Sequence, residues 1–573
     1  MTLPVVIPSK PKNKVFIGVA WPYVNGDLHI GHYAGYLLPS DICARYNRLR
    51  GRDVLMVSGS DCFGTPITVE ADKSGKTPKE VVAGYHARDV ELFDLLGLSY
   101  DLYTKTDTEN HKKVTQDIFL KLLEKGYIFK GVSMQYYSNN ENRFLPDRYV
   151  EGKCPKCGFD GARSDQCEKC GAVLDQGELL KPVSRVSGSP VVLKESEHYF
   201  LDWPLFQEFL EEYVEMPHLH ELGWRDWVFN ETLGWLKQGL KARAITRDLD
   251  WGVELPLDRI PNDQKISGIE NKRIYVWFDA VIGYLSASIE WGDLLKKGDW
   301  RKFWFGGDST HYYFMGKDNL IFHTLFWPGQ LHGYDEKLNL PNFFAINQFL
   351  NLEGKKFSKS REVIVDTRYA VEKYGNDILR FYLCLIMPEN SDANFSWEDF
   401  YQKVNNVLIG NFGNLINRVL TLAKDVDFLQ GSYEVDTTVF EKVKAAYENA
   451  CNHLDHCEYK SYLEAVLKLS SFANEYLTSK EPWKNKDNKK AYDTVVKNLT
   501  FAVLVLTDLL LPLIPDTCQK VYAMLSIQKP DCWKDVLTRS KDLRVVKVSE
   551  AKPLFKKIEK GVIDEEKSKV ALV

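Results

Sequence analysis

Neither sign of charge dominates this 573-residue chain: 74 Lys and Arg stand against 79 Asp and Glu, for a formal net charge of −5. A nucleic-acid binder that works through an overall basic surface is thereby excluded, and any basic face has to be local. Long apolar runs are absent as well. The most apolar stretch, Phe501–Pro515, carries Asp508 and two prolines and falls short of the roughly 20 residues that span a bilayer, so it reads as a buried helix. The opening residues, MTLPVVIPSKPKNK, hold three prolines and no apolar core of signal-peptide length, so neither a leader nor a membrane anchor is expected. Cysteine is too sparse for a disulfide framework: there are eleven, seven of them scattered through apolar segments in the manner of buried thiols. These absences point to a cytoplasmic, reduced protein. No internal repeat is found.

What is present is an ordinary globular composition, 44% hydrophobic and 27% charged, in a chain too long for one hydrophobic core. Val15–Ala20 is an apolar run suited to a buried strand, followed by a loop with Pro22 and the turn pair Asn25-Gly26. Ile30, Ala34, Leu37, Leu38 and Ala44 then recur with helical period as far as Arg50-Gly51, a basic last turn with a glycine stop. A second apolar run, Val54–Asp61, completes a βαβ unit. The fold class expected is α/β, a Rossmann-type parallel sheet whose ligands bind beyond the carboxyl ends of the strands. His29, His32 and Asp61 fall there. Further strands are expected at Ile274–Asp279 and Tyr312–Gly316. Residues 130–240 are turn-rich and read as an insertion, and from about Trp397 long amphipathic segments predict a helical bundle. The division expected is 1–129 and 241–345 for the two halves of the sheet domain, 130–240 for the insertion, 346–396 for a connecting region, 397–535 for the bundle, and 536–573 for a tail that packs back loosely.

Three motifs carry chemistry. Cys154-Pro-Lys-Cys157 and Cys167-Glu-Lys-Cys170 form C-x2-C-x9-C-x2-C, each half followed by a glycine. Two such knuckles in a reduced chain suit a four-thiolate Zn2+ site, which leaves no open coordination position and is therefore structural. The second motif, Asp27-Leu-His-Ile-Gly-His32, sets two histidines three apart at a helix start. They could share a metal, sit buried in the core, or donate to phosphate at a positive helix end. The third, Lys355-Lys-Phe-Ser-Lys-Ser360, follows Gly354. Alone it could be a solvated charge run; paired with an anion-binding helix start it supplies lysine and hydroxyl donors for a triphosphate.

An H-I-G-H sequence after the first strand and a K-F-S-K-S loop far downstream together resemble the class I aminoacyl-tRNA synthetases. With AWPYVNGDLHIGH (Ala20–His32), DCFGTP (Asp61–Pro66), YVWFDAVIGY (Tyr275–Tyr284), GKDNLIFHTLFWP (Gly316–Pro328) and the cysteine insertion, the resemblance narrows to the methionyl family and covers nearly the whole chain. It implies activation of L-methionine by Mg2+-bound ATP and transfer to tRNA(Met). His29, His32, Lys356 and Lys359 match positions that act on the phosphates, with Ser358 in the same loop, and Glu254 and Asp318 resemble groups near the adenosine ribose. Asp61 matches the carboxylate that receives the amino-acid ammonium. Tyr23, Trp277, Ala280, Tyr284 and His323 match the walls of the methionine pocket, and Asn414, Arg418 and Trp483 match anticodon-reading positions. The sequence departs from the family at Phe357, where methionine is commonest, at Val281, where proline is common, and at Gly410-Asn411, where the asparagine spacing differs. A monomer is expected, since no oligonucleotide-binding module follows the bundle. The rivals are a leucine, isoleucine or valine synthetase, for whose editing domain the insertion is too short, and a non-catalytic zinc-ribbon nucleic-acid binder.

Overall fold

The computed structural model describes residues 12–571 apart from 147–148, 165–166, 168, 171–173, 175–176, 217–223, 357–364, 429–434, 534–535 and 538–547. At its centre lies a parallel sheet of five strands: β1 (Lys14–Val19), β2 (Asp53–Ser60), β3 (Leu102–Lys105), β4 (Ser309–Gly316) and β5 (Phe343–Asn347), in the order β5-β4-β1-β2-β3. Phe16 of β1 is flanked by Leu55 of β2 and His311 of β4, and every neighbouring pair is parallel. Burial on both faces explains why β1 and β4 read as near-continuous apolar runs. The chain steps outward from β1 to β2 and β3, then returns to place β4 on the other side of β1. The order therefore reverses between β1 and β4, and a crevice opens there beyond the carboxyl ends.

Ile274–Asp279 is not the single strand expected. A short strand, Lys272–Ile274, belongs to a separate three-stranded antiparallel sheet, and Val276–Asp279 is already a helical turn leading into helix Gly283–Ile289. Val276 and Phe278 are buried while Trp277 is 40% exposed. A short apolar run serves a buried helix as well as a strand, which is why periodicity misassigns it.

The helix after β1 also departs from a regular one. It runs as Ile30–His32, a π-turn at Tyr33–Leu37, and Leu38–Leu49. Pro39 lacks the N–H that a regular helix would direct at the Gly35 carbonyl four residues back. Asn347, at the end of β5, donates from Nδ2 to that carbonyl at 2.8 Å and to Ala34 O at 3.4 Å. The helix after β4 repeats the device, with a π-turn at Phe322–Phe326 followed by Pro328.

The insertion is built on a long antiparallel ladder between Ile128–Ser138 and Val192–Leu201, with a small three-stranded sheet carrying the cysteines. C-terminal to the sheet domain, helices Asn414–Ala423, Thr437–Asp455, Tyr459–Lys480 and Lys489–Leu510 pack as a bundle. Residues Val496–Leu510 of the last are buried, as expected for the most apolar run of the chain. Among the described residues no helix is long and apolar enough to cross a membrane. The tail packs more tightly than expected: in helix Lys560–Ala571 the buried Glu566 accepts from Tyr369 Oη at 2.5 Å and pairs with Lys373. A carboxylate taken out of water needs such partners.

The connecting region is fixed to the sheet domain by an ion pair with no solvent exposure on either side, and the same arginine holds the chain that leaves the last bundle helix. Arg380 bonds Asp41 Oδ2 at 2.7 Å and donates to Leu513 O at 2.5 Å and Pro512 O at 3.0 Å. Asp41, on the helix after β1, also accepts from Arg45 at 2.7 Å and from the N–H and hydroxyl of Ser99. Burial pushes the Asp41 carboxyl up, but Arg380, Arg45 and Ser99 outweigh it and hold its pKa at about 2. Arg380→Met is expected to lower the unfolding free energy by about 3–5 kcal/mol, since it leaves a buried charge short of its partner. A urea midpoint shifted by less than the equivalent of about 1 kcal/mol, the range of exposed pairs, would contradict this. Because the folded pKa lies below the unfolded value of about 3.9, the Asp41 contribution is complete above that pH and is lost as pH falls towards 2.

Candidate active site and cysteine cluster

The crevice is assembled from the segments that leave β1, β2 and β4. Ala20 N–H donates to Phe314 O at 2.8 Å, holding the exit of β1 against β4. The indole of Trp21 lies over Gly59 and Gly283, where a Cβ would come within 2.1 Å and 2.6 Å of the ring, so both positions require glycine. Tyr23 and Asp61 form an isolated parallel bridge, in which Asp61 N–H donates to Pro22 O at 2.8 Å. Residues from the loops after β1 and β2 are thus joined by backbone bonds.

The two histidines hold each other. His29 N–H donates to His32 Nδ1 at 3.1 Å, Gly31 N–H donates to His29 Nδ1 at 3.1 Å, and the ring centroids are 4.0 Å apart. A nitrogen that accepts a hydrogen bond carries no proton, so each neutral ring is protonated at Nε2. The pair therefore closes the helix start through the Nδ1 edges and keeps its protons on the Nε2 atoms. The Nδ1 atoms are not available to a metal, and among the described residues the group of His, Cys, Asp or Glu side chains able to hold one is the cysteine cluster instead.

Lys359 and Ser358 lie outside the described residues, as do Phe357 and the side chain of Lys356. The segment that follows them is placed: Val365 O accepts from Ile30 N–H at 3.2 Å, and Asp366 bridges His29 in antiparallel fashion. The chain leaving the lysine loop is thus fastened to the histidine motif. Asp318 is exposed in the turn at the carboxyl end of β4. Glu254 differs. It is exposed on strand Val253–Glu254 of the small antiparallel sheet, not at an end of the central one.

The segments after Tyr275 and after β4 bring a group of aromatic side chains together. Tyr284 donates to His323 Nε2 at 2.7 Å, and His323 Nδ1 bonds Asn319 O at 2.8 Å, so both rings are fixed. Burial lowers the His323 pKa to about 4, and the ring is neutral near pH 7. Trp277 packs on Phe322, the neighbour of His323, at 5.1 Å between ring centroids. Ala280 is half-buried beside it, on the turn before helix Gly283–Ile289. Burial and then the Asp61 charge push the Tyr23 phenol well above its usual value.

Two residues close to Tyr23 and Asp61 went unrecognised in the sequence. Asp279 is fully buried, and its Oδ2 lies 3.3 Å from Nε2 of buried His111, whose Nδ1 is 2.9 Å from Ser286 Oγ. Burial, then the charge of Asp279, drives the Asp61 carboxyl well above the usual range, opposed by the Phe63 N–H. Burial also lowers His111 to about 3, so it brings no positive charge. Both carboxyls therefore hold their protons more firmly than exposed ones, and a cation set beside them would favour their charged form. The only signal was an aspartate inside an apolar run, and its partner lies 168 residues away.

The four cysteine Sγ atoms all lie within 4.8 Å of one another, with Cys154–Cys170 at 3.9 Å and Cys157–Cys167 at 3.6 Å. A tetrahedral Zn2+ with Zn–S bonds of about 2.3 Å sets its sulfurs about 3.8 Å apart, so the donor set fits. Gly158, at φ +72°, turns the first knuckle, where Gly158 N–H donates to Cys154 O at 3.0 Å; Gly171 lies outside the described residues. In the bundle, Asn414 and Arg418 are exposed one turn apart on helix Asn414–Ala423, and the Arg418 guanidinium sits 5.8 Å from the ring of Trp483, itself 41% exposed. Asn411 is instead bonded to Ser470, Ser471 and Asn474 within the bundle.

Comparison with known proteins matches residues 15–420 to the family described as tRNA synthetases class I (M), and residues 430–571 to the anticodon binding domain of methionyl tRNA ligase. The second match runs through the tail. The methionine–tRNA ligase of Dehalococcoides mccartyi strain CBDB1 is 43% identical over 570 residues, covering 98% of this chain and all of the relative. That of Roseiflexus sp. strain RS-1 is 42% identical over 524 residues, 90% of this chain and 87% of the relative. The fold is that of the Mycobacterium tuberculosis methionyl-tRNA synthetase solved with methionyl-adenylate, at a TM-score of 0.75 and 22% identity, over 95% of this chain and 99% of that one.

Tyr284→Phe strands the acceptor of buried His323 and is expected to destabilise the protein by about 1–3 kcal/mol. Calorimetric melting reads this, and an unchanged Tm would mean that the ring has another donor.

Proposed function

The chain belongs to the methionyl family of class I tRNA synthetases, and on that premise we propose how its residues divide the ATP-driven ligation of methionine to tRNA. The observation that carries the proposal is the closing of the helix start after β1 by the Nδ1 atoms of His29 and His32, which leaves Nε2 as the protonated nitrogen of each ring. In the first step a methionine carboxylate oxygen attacks the α-phosphorus of ATP, and the bond to pyrophosphate breaks. His29, His32 and Lys359 donate to the phosphate oxygens as charge builds on them, and Lys356 and Ser358 belong to the same loop. Mg2+ arrives with ATP and neutralises phosphate charge. No side-chain nucleophile takes part; positioning and electrostatics carry the catalysis. In the second step a hydroxyl of the terminal adenosine of tRNA attacks the adenylate carbonyl and AMP leaves.

Asp61 receives the methionine ammonium, whose positive charge favours the carboxylate form that burial and Asp279 oppose. Tyr23, Trp277 and Ala280 wall the side chain, and the bonded pair Tyr284–His323 presents two polar tips to a polarizable thioether. Asp318 contacts the adenosine ribose. Glu254 is assigned there on the resemblance alone. Cys154, Cys157, Cys167 and Cys170 hold one structural Zn2+ that braces an insertion with a small core of its own. Asn414, Arg418 and Trp483 read the anticodon, with Trp483 as a stacking surface. The domains divide at 129, 240, 345, 396 and 535, and the protein works as a cytoplasmic monomer.

ATP–pyrophosphate exchange across the twenty amino acids tests the reading directly, and methionine alone should support it. Lys359→Ala is expected to slow exchange by about 10²–10³-fold, in line with loss of a transition-state donor, with little change in methionine affinity. Normal exchange in that variant would sink the assignment. Trp483→Ala should leave exchange intact and weaken tRNA binding by about 1–3 kcal/mol; unimpaired charging at limiting tRNA would remove Trp483 from the anticodon site.

A further inference from the structure

A chain of part-buried and buried hydrogen bonds joins the bundle to the π-turn behind His32. Arg225 Nη1 donates to Glu389 O at 2.9 Å, to Asn347 Oδ1 at 2.8 Å and to Ile346 O, and Nη2 donates to Cys457 O at 3.5 Å. Cys457, at φ +53°, lies in the turn between bundle helices Thr437–Asp455 and Tyr459–Lys480. The buried Glu389 carboxylate accepts from the N–H groups of Tyr459 at 2.7 Å and Lys460 at 3.2 Å, at the start of the second helix. Asn347, 1% exposed, has its oxygen on Arg225 and its nitrogen on the Gly35 carbonyl that Pro39 cannot serve. Gly35 is three residues from His32. A shift of the bundle turn therefore moves Arg225, and with it the amide that holds the π-turn open.

We propose that Arg225 and Asn347 are positioning residues through which the seating of the bundle sets the aim of His32, so that RNA bound on the bundle changes the rate of adenylate formation. The inference rests on the anticodon reading of the bundle. Plain interdomain adhesion is the competing account, and the interface supplies a control for it. Arg52 bonds Asp455 at 3.0 Å at the far end of the same helix, without touching the π-turn.

The test measures ATP–pyrophosphate exchange on the full chain with and without saturating anticodon stem-loop RNA of tRNA(Met), whose binding is measured separately. In the wild type, kcat should change on RNA binding. Asn347→Ala and Arg225→Met should lower kcat by about 2–30-fold, the usual span for coupling residues, at unchanged methionine KM. Both should lose the RNA response while binding RNA as tightly as the wild type. Arg225→Lys should restore part of the response, and Arg52→Met should keep it. Asn347→Asp removes the amide donor without a change of size, and serves if the alanine variant fails to melt cooperatively. If both Asn347 variants unfold, the Arg225 pair decides. A response that survives in the variants, or bound RNA without a response in the wild type, overturns the coupling alone. Failure of the stem-loop to bind the wild type overturns the anticodon reading and the coupling with it.

Discussion

The pair Asp41–Arg380 is the constraint on which the rest of the molecule turns. Two unlike charges with no exposed surface lie between the helix that begins at the histidines and the carbonyls of Pro512 and Leu513. A buried ion pair adds little to net stability against an apolar substitute, yet it tolerates no other geometry, because either charge left alone is costly. The helix is thereby held in one place at its centre. Its start is closed by the histidine rings, its π-turn by Asn347, and its last turn by Tyr46, which bonds Asp455 as does Arg52 beyond the helix end.

Much of this was legible in the sequence. The βαβ start, the insertion and the bundle follow from apolar runs and their spacing, and the cysteine spacing marks the donor set that the structure brings together; the strand order does not follow from them. Ile274–Asp279 failed because a buried turn and a buried strand share a composition. Pro39 stood inside the predicted helix and was passed over, although its absent N–H requires a break near Gly35. The Asp279–His111 contact was out of reach, since nothing local ties two residues so far apart. The tail showed only mixed charge, which cannot reveal that Glu566 is buried under Tyr369 and Lys373.

Burial acts in one direction on the titratable groups around Tyr23. The Asp61 and Asp279 carboxyls are raised and the His111 and His323 imidazoles lowered, so each is pushed towards its neutral form.

The π-turn has a geometric consequence beyond its hydrogen bonds. An α-helix advances about 100° per residue, and a turn widened by one residue rotates everything after it by that angle. The rod from Ile30 to Leu49 is in effect two helices of different phase on one axis. Its first turn carries His32, while Asp41 meets Arg380 and Tyr46 meets Asp455 of the bundle. Without the slip, one of the two faces would be misdirected by roughly a quarter-turn, and a single straight element could not serve both.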